Sequence, residues 1–175
     1  MNPLTLSIAL SFLLSGAPQR FLPHQPSAFA VRRVTYKRYT NVRFAYAINY
    51  PVGVLIPQGE SDNSDGQIFR SADGHAEMRV FGRNNVFNDT LRSAFDKAVA
   101  GEDSAGRVVT YKLLKGDFYV VSGHQNGKIF YEKTMLKGDV FKTFMIEYDE
   151  AERAKYDPIT ARIANSFASV QGGVQ

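Results

Sequence analysis

Residues 57 to 67 read PQGESDNSDGQ, which brings Glu60, Asp62 and Asp65 close together among Ser, Asn, Gly and Gln. Carboxylates so spaced could hold a hard cation such as calcium, which binds through oxygen ligands. An EF-hand loop wants oxygen ligands at its first, third and fifth positions, Gly at the sixth and Glu at the twelfth. With Gly66 sixth, Ser61 is first, Asn63 third, Asp65 fifth and Ala72 twelfth. The first ligand is weak and the closing carboxylate is missing. A non-standard calcium site on Glu60, Asp62 and Asp65 stands as the alternative. The leading reading is a polar loop beside Pro57 that offers Gln58, Glu60, Asp62, Asn63, Asp65 and Gln67 to a protein partner, because loops carry binding function more often than sheets do.

Other reactive constellations are sparse. Cysteine is absent, which excludes disulfides, a cysteine-ligated zinc cluster and a thiol nucleophile. The three histidines are His24, His75 and His124, and their spacing does not gather them with a carboxylate into a zinc site. His75 and His124 fall near turns and are expected in solvent. No Gly-x-Ser-x-Gly elbow exists. Ser122 and His124 flank Gly123 inside an expected strand, so they share a face without forming a triad. Glu132 and Glu147 fall on one face of an expected sheet, where a pair could serve as acid and base. Lys133 falls on the apolar face of the same sheet and must snorkel, pair with an acid or mark a bulge. No phosphate-binding glycine motif is present. No catalytic residue and no bound cofactor are expected, with calcium as the alternative and an enzyme using the mixed sheet face as a further one.

The chain has 175 residues, 44 % of them hydrophobic, enough for one packed domain. Leu4 to Leu14 (LTLSIALSFLL) has the length of a signal-peptide apolar region and is too short to span a bilayer. Small residues follow at Ser15-Gly16-Ala17 and at Ala28-Phe29-Ala30, although no basic residue precedes the run. The expected organisation is a leader over 1–30, a solvated basic tail over 31–39, a single α/β domain over 40–170 and a flexible tail over 171–175. The expected location is periplasmic or secreted. Without cysteine there can be no lipoprotein anchor. Six of the 21 basic residues (Arg20, Arg32, Arg33, Lys37, Arg38 and Arg43) and none of the 17 acidic ones lie at or before residue 43. The remainder is close to neutral, which argues against nucleic acid as a partner, since a nucleic-acid-binding fold carries its own basic patch.

These residues must be positioned by a mostly β chain. RFAYAINY (43–50) alternates as a strand stopped by Pro51, and Val54 to Ile56 reads as a second strand ended by Pro57. Gln67 to Arg70 and Ala76 to Phe81 form a hairpin around Ala72-Asp73-Gly74. Asn88 or Asp89 caps a helix that buries Leu91, Ala94, Phe95, Ala98 and Val99 and stops at Gly101. Four β-rich runs follow, separated by Gly116-Asp117, Asn126-Gly127 and Gly138-Asp139, each suited to a two-residue hairpin turn. Such turns set the register of a four-stranded antiparallel meander. One face then carries Val109, Tyr111, Leu113, Phe118, Val120, Ile129, Tyr131, Met135, Phe144, Ile146 and Tyr148. The other mixes Tyr119, Val121, Phe130, Leu136, Phe141 and Met145 with Glu132, Thr134, Thr143 and Glu147. Apolar residues on both faces need cover on both. A turn over Glu150 to Lys155 and a helix capped by Asp157 with Pro158 at its first position supply part of it.

FAYAINYP (44–51) resembles the opening strand of the PsbP/Mog1-like superfamily, and ITARIANSFA (159–168) is similar to its closing helix. The resemblance spans roughly residues 40 to 170. It implies an α+β fold, a three-layer α/β/α sandwich on a central antiparallel sheet. It also implies a binding or assembly protein rather than an enzyme, here with an unidentified protein partner in the cell envelope and no membrane span. No functional residue of the superfamily carries over.

Overall fold

Strand formation starts earlier than the charge pattern implies. The computed structural model describes residues 34–101 and 106–170, all within one compact unit, Arg33–Gln175. It opens with strand β1 (Tyr36–Asn41), antiparallel to β2 (Tyr46–Pro51). Part of the segment expected as a solvated tail is therefore sheet. Its tyrosines give the reason: Tyr39 meets Tyr46 and Phe69 edge-on at 6.2 and 6.0 Å, and the Arg162 guanidinium lies 4.1 Å over the Tyr36 ring. The basic residues point outward while the aromatic ones pack. The expected leader and C-terminal tail lie outside the described residues.

The next strand, β3 (Ile56–Glu60), begins where Val54 to Ile56 was expected to end. Pro57 is tolerated because β3 is an edge strand, where a missing N–H costs no ladder bond. Beyond it run β4 (Gly66–Arg70), β5 (Ala76–Asn84), helix α1 (Leu91–Ala100), β6 (Arg107–Lys115), β7 (Phe118–Gln125), β8 (Lys128–Lys137), β9 (Val140–Asp149), a 3₁₀ turn (Glu150–Glu152), helix α2 (Arg153–Ser166) and β10 (Ala168–Ser169). A small sheet has the order β1-β2-β10 and a seven-stranded sheet the order β3-β4-β5-β9-β8-β7-β6, all pairs antiparallel. The fold is α+β.

Turn chemistry governs the register of the last four long strands. Lys115 faces Phe118, Gln125 faces Lys128 and Lys137 faces Val140, so each connection is two residues. The larger core, on one face, joins Phe69, Met78, Val80, Ile129, Phe144 and Ile146 of the sheet to Tyr46 and Ile48 of β2 and to Tyr156, Ile159 and Ile163 of α2. The smaller core, on the other face, joins Tyr119, Val121, Phe130 and Phe141 to Ala94 and Phe95 of α1. That helix packs chiefly over β6 and β7. On the half of this face it leaves open, polar side chains are mixed with Ile68, Phe81 and Met145, and Glu77 bridges Arg70 at 2.8 Å and Arg79 at 2.6 Å.

One β-bulge changes the faces. Tyr111 faces Ser122 while Val109 faces Gly123, so Thr110 is the extra residue. Everything before it in β6 changes sides. Val109, expected on the larger core, packs instead on the smaller one, and Arg107 turns under α1 with it. Gly123 makes the bulge possible, because a Cβ there would stand 1.9 Å from the Val108 carbonyl oxygen.

The helix ends differ from the sequence reading in detail. Thr90, not Asn88 or Asp89, caps α1, its Oγ1 accepting from the Ser93 N–H at 3.0 Å. Gly101 ends the helix in the left-handed conformation, φ 67°. Pro158 lies inside α2 instead of opening it. The turn before it is anchored without that one N–H: Tyr156 stacks on Tyr148 at 5.4 Å, and the Asp157 carboxylate accepts from the Tyr148 hydroxyl at 2.5 Å. Lys133 meets the apolar face by donating to the carbonyls of Ala164 (2.9 Å) and Phe167 (3.5 Å) at the end of α2, with its ammonium 5.1 Å over the Phe118 ring. Burial lowers its pKa.

Candidate functional sites

The acidic segment is a hairpin, not a free loop. Gln58, Gly59 and Glu60 belong to β3, Gly66 and Gln67 to β4, and residues 61–65 form the tip. The β1–β2 hairpin ties this tip down. Asn41, fully buried, donates from Nδ2 to the Ser64 carbonyl at 3.0 Å and accepts the Phe44 N–H at 2.9 Å. The Tyr46 hydroxyl donates to the Asp65 carbonyl at 3.0 Å, and Arg43 donates to the Asn63 carbonyl. Tyr39 donates to Glu60 Oε1 at 2.6 Å; burial first, then this bond, pushes the phenol up to about 12.

Those bonds also occupy the expected metal ligands. Asp65 Oδ1 accepts from Ser61 at 2.6 Å and Oδ2 from Asn63 at 2.8 Å, closing the tip on itself. Glu60 is turned to Tyr39. Among the described residues, no three His, Cys, Asp or Glu side chains gather closely enough to hold a metal ion. The structure therefore does not bring Glu60, Asp62 and Asp65 together as a cation site. It does bring Gln58, Glu60, Asp65 and Gln67 to one open groove of about 410 Å³ beside β3, lined also by Ile68, Phe81 and Arg79. Asp62 and Asn63 do not line it. All five residues of β3 are exposed, and Pro57 and a register shift before Glu60 interrupt its ladder.

A second concavity, about 410 Å³, opens between α1 and the sheet. At its floor Glu132 and Arg107 form an ion pair of 2.9 Å, their side chains 9 % and 6 % exposed. The other Glu132 oxygen accepts from the Tyr119 hydroxyl at 2.7 Å. Burial, then the Glu132 charge, raises the Tyr119 pKa well above its ordinary value. Thr134 and Thr143 share a hydrogen bond of 3.0 Å beside them. The Arg107 guanidinium lies 4.0 Å over the Phe130 ring, and its Nε has no partner among the described residues. At the rim, Asp89 accepts from Ser93 (2.9 Å) and Lys97 (3.1 Å), bonds that hold its pKa below the usual carboxylate range.

The remaining expected residues are dispersed. Glu147 lines a separate shallow depression with Glu77, Arg79 and Met145, so it forms no pair with Glu132. Ser122 and His124 line a hollow of about 260 Å³ with Arg153, Asp157 and Thr160. His124 Nδ1 lies 3.7 Å from Glu150, and Asp157 is turned to Tyr148, so no relay links serine, histidine and aspartate. His75 is bonded to Asp149 at 2.6 Å on the surface. His24 lies outside the described residues.

Comparison with known structures gives the fold its name. Cyanobacterial PsbP from Synechocystis, a solution structure, superposes with a TM-score of 0.59 at 16 % identity, over 82 % of this chain and 97 % of that one. The fold is PsbP-like. A Bacteroides thetaiotaomicron protein matches at TM-score 0.50 and 11 % identity, over 79 % of this chain and half of that one. No family model matches the chain, nor does any curated protein sequence. Among the described residues no helix is long and apolar enough to cross a membrane.

Within this PsbP-like fold, sequence reasoning missed Arg107 and Tyr119. Arg107 stands on the wrong side of any bulge-free register, and Tyr119 reads as an ordinary apolar strand residue. The available signal was Gly123, a glycine in mid-strand, which marks a bulge or a close backbone approach.

Proposed function

We propose that this chain is an exported, non-catalytic accessory protein that docks a protein partner on its β3–β4 hairpin. The observation that carries the reading is the tethered hairpin. It presents a fully exposed edge strand whose tip is held by hydrogen bonds from Tyr39, Asn41, Arg43 and Tyr46. A hairpin held in place loses little conformational freedom on binding. The groove beside it sets Ile68 and Phe81 among Gln58, Glu60, Asp65, Gln67 and Arg79, two carboxylates to one guanidinium, a composition suited to a partner segment with a basic edge. Export rests on the leader-like run Leu4 to Leu14. The finer architecture is a three-layer sandwich with a four-stranded meander over β6 to β9. It is supported by the two cores on opposite faces and by the consecutive pairings.

A photo-crosslinking residue at Gln58 or Gln67, in cells of the source organism, is expected to capture one identifiable protein. The same residue at Arg92 on α1 is not. Glu60→Lys should abolish capture. Equal capture from Gln58 and Arg92, or none from Gln58 and Gln67, overturns the proposal. Mass spectrometry of the mature N-terminus tests export independently.

A further inference from the structure

The cleft under α1 has features that the hairpin reading leaves unused. Its lining includes Ala94 and Ala98 of the helix, whose small side chains leave room beneath it, together with Phe81, Phe87 and Met145. Phe87 stands at the cleft with 81 % of its surface exposed, although an aromatic ring in contact with the chain would ordinarily be covered. Three cations, Arg83, Lys97 and Arg107, meet two carboxylates, Asp89 and Glu132. Lys97 is paired with Asp89 and Arg107 with Glu132. Arg83 is the third cation, and its charge acts on Asp89 without pairing with it. It lies 4.3 Å over the Phe141 ring, and no ion pair engages it among the described residues. Stacking holds a guanidinium flat and leaves its edge free for an anion, the geometry in which arginine binds carboxylates by paired hydrogen bonds. Elsewhere in the cleft the buried Arg107 has an Nε–H with no partner among the described residues.

We infer that this cleft is a binding site for a small aromatic carboxylate. The ring would lie against Phe81, Phe87 and Met145, and the carboxylate would reach the Arg83 guanidinium. The volume, about 410 Å³, is that of a small-molecule site, and its lining is about as polar as it is apolar, which suits a ligand that is both aromatic and charged. The Arg107–Glu132–Tyr119 network fixes the floor and supplies a second, recessed cationic group. A neutral ligand would satisfy the walls but gain nothing from the Arg83 guanidinium, so charge selectivity is the signature of the site.

The test is a titration of the isotope-labelled full chain with naphthoate and, separately, with its neutral isostere naphthamide, followed by amide shifts. Saturable shifts are expected at Ala94, Ala98, Thr143 and Phe87 with naphthoate, and affinity for naphthamide should be at least about tenfold weaker. Arg83→Met should weaken naphthoate about tenfold, the effect of losing one charge-assisted hydrogen bond. It should leave naphthamide binding unchanged and lower the melting temperature by no more than about 4 °C, the loss of one cation–π contact with Phe141. Ala98→Leu, which narrows the cleft, should abolish both. Shifts confined to other surfaces, equal affinity for the two probes, or an Arg83→Met variant that binds naphthoate normally would each overturn the inference.

Discussion

Arg107→Met removes one partner of a charge that the fold has taken out of water. Glu132 keeps the Tyr119 hydroxyl at 2.7 Å but loses the guanidinium at 2.9 Å. Breaking a buried pair from one side costs about 3–5 kcal/mol, because a charge is stranded. The retained phenol places this case near the lower end, about 3 kcal/mol. A chain of this length loses about 2–4 °C of melting temperature per kcal/mol, so the variant should melt about 6–12 °C lower. The companion is the triple variant Arg107→Met, Tyr119→Phe, Glu132→Leu, which removes the charge and both its partners together. Replacing a buried ion pair by apolar groups of similar volume is often neutral or stabilising. The triple variant should therefore recover to within about 1 kcal/mol of wild type. Urea unfolding measured by circular dichroism gives both numbers from the midpoint at constant slope. An Arg107→Met penalty under about 1 kcal/mol, or a triple variant no better than the single one, would refute the claim that this pair is desolvated and mutually dependent.

Other perturbations probe the devices that shape the sheet. Gly123→Ala sets a Cβ 1.9 Å from the Val108 carbonyl oxygen and 3.0 Å from the Thr110 nitrogen, so it should cost at least the ~1–3 kcal/mol of overpacking in urea unfolding and displace the amide resonances of β6. Lys133→Met keeps an apolar stem on Phe118 but leaves the Ala164 carbonyl without its donor, and should cost about 1–2 kcal/mol by the same assay. His75 is a pH probe. The Asp149 hydrogen bond raises its pKa, so its contribution is fully present below the ordinary value of about 6.5 and is lost as pH rises through the folded value. His75→Gln should melt below wild type at about pH 5.5 and level with it at about pH 9, and the His75 ring resonances should titrate above about 6.5. Millimolar calcium should leave the melting temperature unchanged, because both Asp65 oxygens are already bonded within the tip and Glu60 is bonded to Tyr39; a rise would mean that a folded-state site exists.

The parts of this structure that were legible in the sequence are those governed by neighbours in the chain. Gly-Asp and Asn-Gly dipeptides specify two-residue turns through their own φ preferences. The pairings of Lys115 with Phe118, Gln125 with Lys128 and Lys137 with Val140 follow from them. Alternation along RFAYAINY gave away β2 for the same local reason. What was hidden depends on contacts made elsewhere. Tyr36 and Tyr39 look like part of a basic tail until Arg162, Tyr46 and Phe69 pack on them. Pro158 reads as a helix start until Tyr148 anchors the preceding turn. The acidic run leaves a cation site open as an alternative because sequence spacing cannot reveal that Tyr39, Ser61 and Asn63 have already claimed the oxygens of Glu60 and Asp65. The cleft under α1 was hidden by a question of parity. A single extra residue at Thr110 moves Arg107 from the face of Tyr111 to the face of Glu132, and the only local trace is a glycine on the neighbouring strand. A buried ion pair carries most of its cost in desolvation, so it would not persist there by accident of register. The bulge, Gly123 and the Arg107–Glu132 pair stand or fall together, which is why substituting Gly123 should perturb a cleft it does not line.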